Sequence, residues 1–168
     1  YLYGQDAKKA VEHAREQVAA LIGAASEEIV FTGGGSESDN HAIIGTALAN
    51  CGRGKHLITS CIEHPAVLNT CRYLEERLDF TVTYLHVDRF GLVDPQEILS
   101  AMNSETILIT IMHANNEVGT IEPLAEISQI TEEKGILFHT DAAQSCGKIE
   151  VDVNRLGIDL LTLAGHKL

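Results

Sequence analysis

Pro123-Leu124-Ala125-Glu126-Ile127-Ser128-Gln129-Ile130-Thr131-Glu132-Glu133-Lys134-Gly135-Ile136-Leu137-Phe138-His139-Thr140-Asp141 is the stretch whose reading decides the fold. Proline favours the first position of a helix, where its fixed φ is already right and its missing N–H would have had no partner. Pro123–Lys134 therefore reads as a helix, Gly135 as its stop, and Ile136–Asp141 as a short apolar strand. The same unit recurs outward in both directions. Pro65 and Pro95 also stand where helices begin, giving Pro65–Arg77 and Pro95–Met102, and Ser36–Ala49 is a further helical stretch. Ala7, Ala10, Val11, Ala14, Val18, Leu21 and Ile22 recur at three- and four-residue spacing, so residues 5–22 form an amphipathic helix that Gly23 stops. The strand candidates are Ile29–Thr32, His56–Ser60, Thr81–Val87, Ile107–His113, Ile136–Asp141 and Leu160–Leu163. Strands alternating with helix-length crossovers predict a three-layer α/β fold, a mostly parallel sheet with helices on both faces. Ligands of such sheets gather at the C-terminal ends of the strands.

Composition narrows the classes. At 168 residues and 45% hydrophobic content, the chain has material for a sizeable core. A net charge of −12 with no Lys/Arg cluster argues against nucleic acid as a partner. No apolar run nears the roughly 18 residues of a membrane span; Val18–Ala25 is the longest clean one. Cys51, Cys61, Cys71 and Cys146 form neither a CxxC nor a zinc-like pairing, which predicts free thiols in a reducing, cytoplasmic compartment. His113, His139 and Asp141 lack the spacings of metal motifs, so no metal is expected. The opening Tyr1-Leu2-Tyr3-Gly4-Gln5 carries no initiator Met, basic region or signal-like core, and reads as a cut rather than a start.

The chemistry-bearing clusters follow the strands. Thr32-Gly33-Gly34-Gly35-Ser36-Glu37-Ser38-Asp39-Asn40 is a strand–turn–helix stretch whose backbone N–H groups suit an anion. Ser36 and Asp39 also have capping-box spacing, so a plain capped turn is the competing reading. Glu63-His64-Pro65 puts a His just before a helix start, where its ring can stack on a flat cofactor. The segment from His113 to Gly119 holds Asn115 and Asn116, either a turn or a source of amide donors for a phenolate oxygen. Ile136–Thr140 delivers Asp141 and Gln144, and Leu160–Leu163 delivers Ala164, Gly165, His166 and Lys167. A lysine and a carboxylate at the ends of neighbouring strands suit pyridoxal 5'-phosphate (PLP). The amine forms the imine, and the carboxylate keeps the pyridine nitrogen protonated.

Taken in order, these clusters resemble the NifS-like cysteine desulfurases and selenocysteine lyases, within the class V aminotransferase group of fold-type I PLP enzymes. Thr32–Asn40 resembles the family's phosphate loop and Glu63–Leu68 its ring-stacking His segment. Met112–Gly119 resembles its Asn-Asn-Glu segment, His139–Gln144 its pyridine-binding strand, and Gly165-His166-Lys167 its Schiff-base lysine. The resemblance implies that Gly35 and Ser36 meet the phosphate and that His64 stacks on the ring and moves protons. It implies that Asn116 and Gln144 address the phenolic oxygen, that Asp141 pairs with the pyridine nitrogen, and that its pKa falls there. His166 would contact the phosphate and Lys167 would carry the cofactor. Ala164 departs from the pattern, since many members have a Ser there; only its backbone is left to contribute.

The implied activity is that of a PLP-dependent cysteine desulfurase, a transferase converting L-cysteine to L-alanine and an enzyme-bound persulfide. The sulfur would pass to an acceptor protein for iron–sulfur cluster assembly or another sulfur transfer, and a homodimer is expected. The family's persulfide-forming Cys and substrate-carboxylate Arg lie beyond the lysine. Residues 1–168 are therefore expected to be a fragment of the PLP-binding large domain, without the N-terminal segment and the C-terminal small domain, and inactive alone. Selenocysteine lyase, a kynureninase-like enzyme and a cofactor-free associating module are the alternatives.

Overall fold

A computed structural model describes residues 2–168. Helix α1 (Leu2–Ile22) leads through a single 3-10 turn (Ser26–Glu28) to α2 (Gly35–Asn50). Then come β1 (His56–Ser60), α3 (Pro65–Leu78), β2 (Thr81–Leu85), α4 (Pro95–Ala101) and β3 (Thr106–Thr110). The chain continues through α5 (Leu124–Lys134), β4 (Leu137–Asp141), α6 (Val153–Leu156) and β5 (Leu160–Thr162) to a closing 3-10 turn at Gly165–Lys167. The strands form one sheet in the order β2-β1-β3-β4-β5 with every pairing parallel.

Handedness decides which helix covers which face. The chain steps from β1 outward to β2, then reverses to β3, β4 and β5. Right-handed crossovers in opposite directions must lie on opposite faces. Accordingly α3 joins α2 on one face, around Ile43, Ala47, Leu57, Val67, Leu74 and Leu108. Helices α4 and α5 cover the other, around Ile58, Ile98, Ile109, Leu124, Ile127 and Phe138. Neighbours within a strand, such as Leu57 and Ile58 or Leu108 and Ile109, enter opposite clusters, as the two-residue repeat of a strand requires. Buried on both faces, these strands read as continuous apolar runs.

Three expectations need correction. Ile29–Thr32 is no strand. Its carbonyl at Ile29 accepts from the Arg15 guanidinium, Val30 and Phe31 are exposed, and no strand pairs with it among the described residues. The Ser36–Asp39 capping box does not form either. The cap of α2 is Gly34, Ser36 lies inside the helix, and Asp39 turns inward. Pro123 is the cap of α5, which begins at Leu124. Helix α6 is four residues long, too short to show a period; Asp152 caps it by accepting from the Asn154 and Arg155 amides, and Gly157 ends it at φ +64°.

Candidate cofactor site

The α2 face of the sheet changes character along the strands. Its lower half is apolar; its upper half holds Thr110, His139, Asp141 and Thr162, capped by Ser38 and Asp39 of α2. His139 donates or accepts at both ring nitrogens, to Thr110 Oγ1 at 2.7 Å and Thr162 Oγ1 at 3.1 Å. Burial pushes its pKa down to about 3, so it is a neutral framework group. Thr162 reaches on to Ser38 Oγ at 3.2 Å, tying β5 to α2.

That tie sets the Gly-rich turn beside the lysine. A Cβ built on Gly35 would stand 3.5 Å from the Ala164 Cβ, so the head of α2 and the end of β5 are in contact. Ala164 is buried, and its carbonyl accepts from the Lys167 amide at 2.9 Å, which folds Gly165–Lys167 into its turn. At the loop, Glu37 turns back to accept from the Gly33 amide at 2.6 Å. Asp39 points into the interior, so neither acid faces the amides of Gly35 and Ser36. Those amides, in the first turn of a 16-residue helix, have no intrahelical acceptor. With the helix dipole behind them, they suit an anion.

Asp141 ends β4 at 8% exposure. One oxygen accepts from the Ala143 amide at 2.8 Å. Burial raises its pKa, while that amide, the His64 imidazole and the Lys167 ammonium pull it down. In the protein without a cofactor, desolvation is the largest of these influences. His64 follows β1 and Lys167 follows β5, at the same edge of the sheet as Asp141. His64 is exposed and caps α3, its Nδ1 accepting from the Ala66 amide at 3.1 Å. Asn116 and His166 are exposed and Gln144 half-buried, and their side chains make no hydrogen bond among the described residues. Asn115, by contrast, is buried and committed to its own turn. A pyridine ring bearing a phosphate and an aldehyde fits this set: a buried carboxylate short of a cation, uncommitted helix-head amides and a primary amine, all on one sheet edge.

Sequence reasoning missed Asp39, which is 2% exposed, with Oδ1 unpaired and 3.9 Å from His139 Nε2. Burial and the neighbouring Asp141 raise it to about 7, against Thr162 and Lys167. The signal was available, because Asp39 continues the inward stripe of Ile43 and Ala47 and is the polar residue in it. A carboxyl whose folded pKa lies above its unfolded one stabilises most at low pH, and this contribution is lost as pH rises from about 4 through 7. His139 runs the other way, since a depressed His adds stability as pH rises from about 3 to 6.5. In the cofactor-free protein the two slopes oppose each other between pH 4 and 6.5. Asp39→Asn leaves the His139 slope alone, so its stability relative to the native protein is expected to grow between pH 4 and 7, by at most about 4 kcal/mol. Urea melts across that range check this; a constant difference would refute it.

A groove of about 610 Å³ lined by Arg53, Asn103, Thr106 and Lys134 lies at the opposite, N-terminal edge of the strands. Open, and lined by none of the candidate residues, it offers no comparable set of groups. Among the described residues, no helix is long and apolar enough to cross a membrane, and no cluster of His, Cys, Asp and Glu could hold a metal.

Comparison with known proteins gives the family. The cysteine desulfurase IscS of Dictyoglomus turgidum is 54% identical over 165 residues, 98% of this chain and 42% of the relative. That of Methanosarcina thermophila is 53% identical, over 99% of this chain and 41% of its own. The chain thus spans about two-fifths of the length of these relatives. Among solved structures, SspA in complex with cysteine superposes with a TM-score of 0.95 at 47% identity, over 99% of this chain and 48% of SspA. A NifS-like protein gives 0.93 at 38%, over 98% of this chain and 45% of its own. The family model described as aminotransferase class-V matches residues 1–168. From its first residue to its last, this chain belongs to the class V aminotransferase family.

Proposed function

We propose that residues 1–168 are the cofactor-binding part of a PLP-dependent cysteine desulfurase. The observation that carries this reading is that Asp141, at the end of β4, stands in register with Thr162 of β5, whose following residues pack against the Gly-rich head of α2 at Ala164 and turn into Lys167. Bound there, PLP supplies an aldehyde for amines and a protonated ring that withdraws electrons from the substrate's α-carbon. The Gly35 and Ser36 amides, the Ser36 hydroxyl, the Ala164 backbone and His166 hold the phosphate. Asp141 keeps a proton on the ring nitrogen. Asn116 and Gln144 donate to the phenolic oxygen, and His64 covers one ring face, keeps water out and hands protons to the substrate. The Lys167 amine attaches the cofactor and moves the proton at the α-carbon.

In the full-length protein, L-cysteine and an enzyme thiol outside these residues give L-alanine and that thiol's persulfide, and the sulfur passes to an acceptor protein. The similarity to IscS and to SspA with cysteine supports this substrate. We place the protein in the cytoplasm as a homodimer. Phe90, Val118 and Ile121 support the dimer, being exposed apolar residues on two loops that touch at Gly91, at the site edge.

Incubating residues 1–168 with PLP, reducing with borohydride and mapping peptides is expected to put the label on Lys167. No sulfide should be released from cysteine, because the nucleophile and the substrate clamp are elsewhere. Label spread evenly over Lys8, Lys9, Lys55, Lys134, Lys148 and Lys167 would overturn the site. PLP-dependent sulfide release would overturn the division of labour.

A further inference from the structure

We propose that Glu63 is the positioning residue that locks the loop carrying His64 to the loop carrying Asn116, and so sets the separation of these two groups across the site; this rests on the reading of the site given above. After a register shift between His56 and Leu57, strands β1 and β3 pair evenly from Leu57↔Leu108 to Thr59↔Thr110 and then part. This is the point where the strand order reverses, and the crevice that opens there is where sheets of this type bind ligands. Beyond it the amides of β3 alternate between neighbours. The Ile111 amide still reaches the His139 carbonyl of β4, at 3.1 Å. The Met112 amide faces the β1 side, where the ladder has ended, and donates instead to Glu63 Oε1 at 2.9 Å. The same oxygen accepts from Ser60 Oγ at 2.7 Å, which fixes the carboxyl over the end of β1. A side chain thus replaces the next rung of the ladder.

A second tie runs alongside. Asn115 Nδ2 donates to the Ile62 carbonyl at 3.3 Å, while its Oδ1 accepts from the Glu117 and Val118 amides at 2.8 and 3.1 Å. Asn115 therefore shapes the turn that presents Asn116, and Glu63, the residue before His64, holds the segment entering that turn through the Met112 amide. Glu63 is 4% exposed, and burial lifts its pKa to about 8, against the Met112 and Ser60 hydrogen bonds and with Asp141 and Glu122 adding to the rise. At neutral pH it is a neutral acid with Oε2 unpartnered. An apolar side chain would fill this volume without stranding a polar oxygen. The carboxyl is accounted for by the two donors it joins.

Amide hydrogen exchange on the cofactor-free full-length protein tests the lock without using activity. In Glu63→Ala the Met112 amide is expected to exchange at least about tenfold faster, while the Ile111 amide keeps its rate. Glu63→Gln, whose Oε1 accepts from the same donors, should restore Met112 to within about threefold of native. Should the alanine variant fail to fold, Ser60→Ala is expected to speed Met112 exchange about threefold by freeing the carboxyl. In the PLP-loaded protein, Glu63→Ala should lower kcat at least about tenfold with PLP affinity within about threefold of native, and Gln should rescue it. Unchanged Met112 exchange in Glu63→Ala or Ser60→Ala, or Glu63→Gln no better than Glu63→Ala, overturns the lock. Failure of the native protein to take up PLP would instead overturn the reading of the site, while the exchange rates of Met112 and Ile111 still decide whether Glu63 joins the two loops.

Discussion

Lys167→Ala in the full-length protein is expected to lower cysteine turnover to below about a thousandth of native and to abolish borohydride fixation of PLP. The size of the effect follows from the number of tasks on one nitrogen. On the proposal above, Lys167 would hold the cofactor through its amine, and the same amine would move the proton at the substrate's α-carbon. No nearby lysine can substitute: Lys148, which lies alongside, is committed through Nζ to the Lys167 carbonyl at 3.0 Å. Arginine at this position would keep the charge near Asp141 and still fail, because a guanidinium is never a free amine. Persistent trapping of PLP in Lys167→Ala, mapped to another lysine, would refute the assignment.

The second large effect is expected of Asp141→Asn. The side chain keeps its size and can still accept from the Ala143 amide, so folding should be close to native. What is lost is the negative charge that holds a proton on the ring nitrogen, and with it the electron withdrawal that the reaction needs. Turnover is expected to fall by about a hundredfold or more, while borohydride still fixes PLP to Lys167. Removing the carboxyl also removes a group whose burial is unfavourable without a cation. The cofactor-free variant should therefore be no less stable than native, although the loaded enzyme is crippled. Turnover within a few-fold of native would refute the role of Asp141.

Four of the five sheet strands, β1, β3, β4 and β5, were legible as short runs that each deliver a polar cluster, and β2 as a run of strand-favouring residues. The helices were legible from their prolines and glycines: Pro65 and Pro95 do head α3 and α4, and Gly135 ends α5 at φ +63°. Ile29–Thr32 misled because composition records what a segment would bury, not whether a partner strand is there to meet it. In the site, the residues that follow strands could be read in chain order, since a parallel sheet brings all strand ends to one edge. The unread ones act from the side or from behind. Asp39 needed the inward face of α2, and Glu63 needed the parting of β1 and β3, which no local pattern records.

The strand order has a consequence for how the molecule is made. All pairings are parallel, so each requires a crossover before it can form, and such long-range contacts form slowly. The groups that meet at the cofactor come from opposite ends of the chain. Gly35 belongs to the first helix–turn unit, and Lys167 follows the last strand, docked on the edge of the sheet. An intermediate holding only β1, β2 and β3 would have Gly35, Ser36, His64 and Asn116 but neither Asp141 nor Lys167. On the proposed site, the visible absorbance of PLP on Lys167 would require β5 to be docked, so refolding followed by that band is expected to lag the far-ultraviolet signal of the helices.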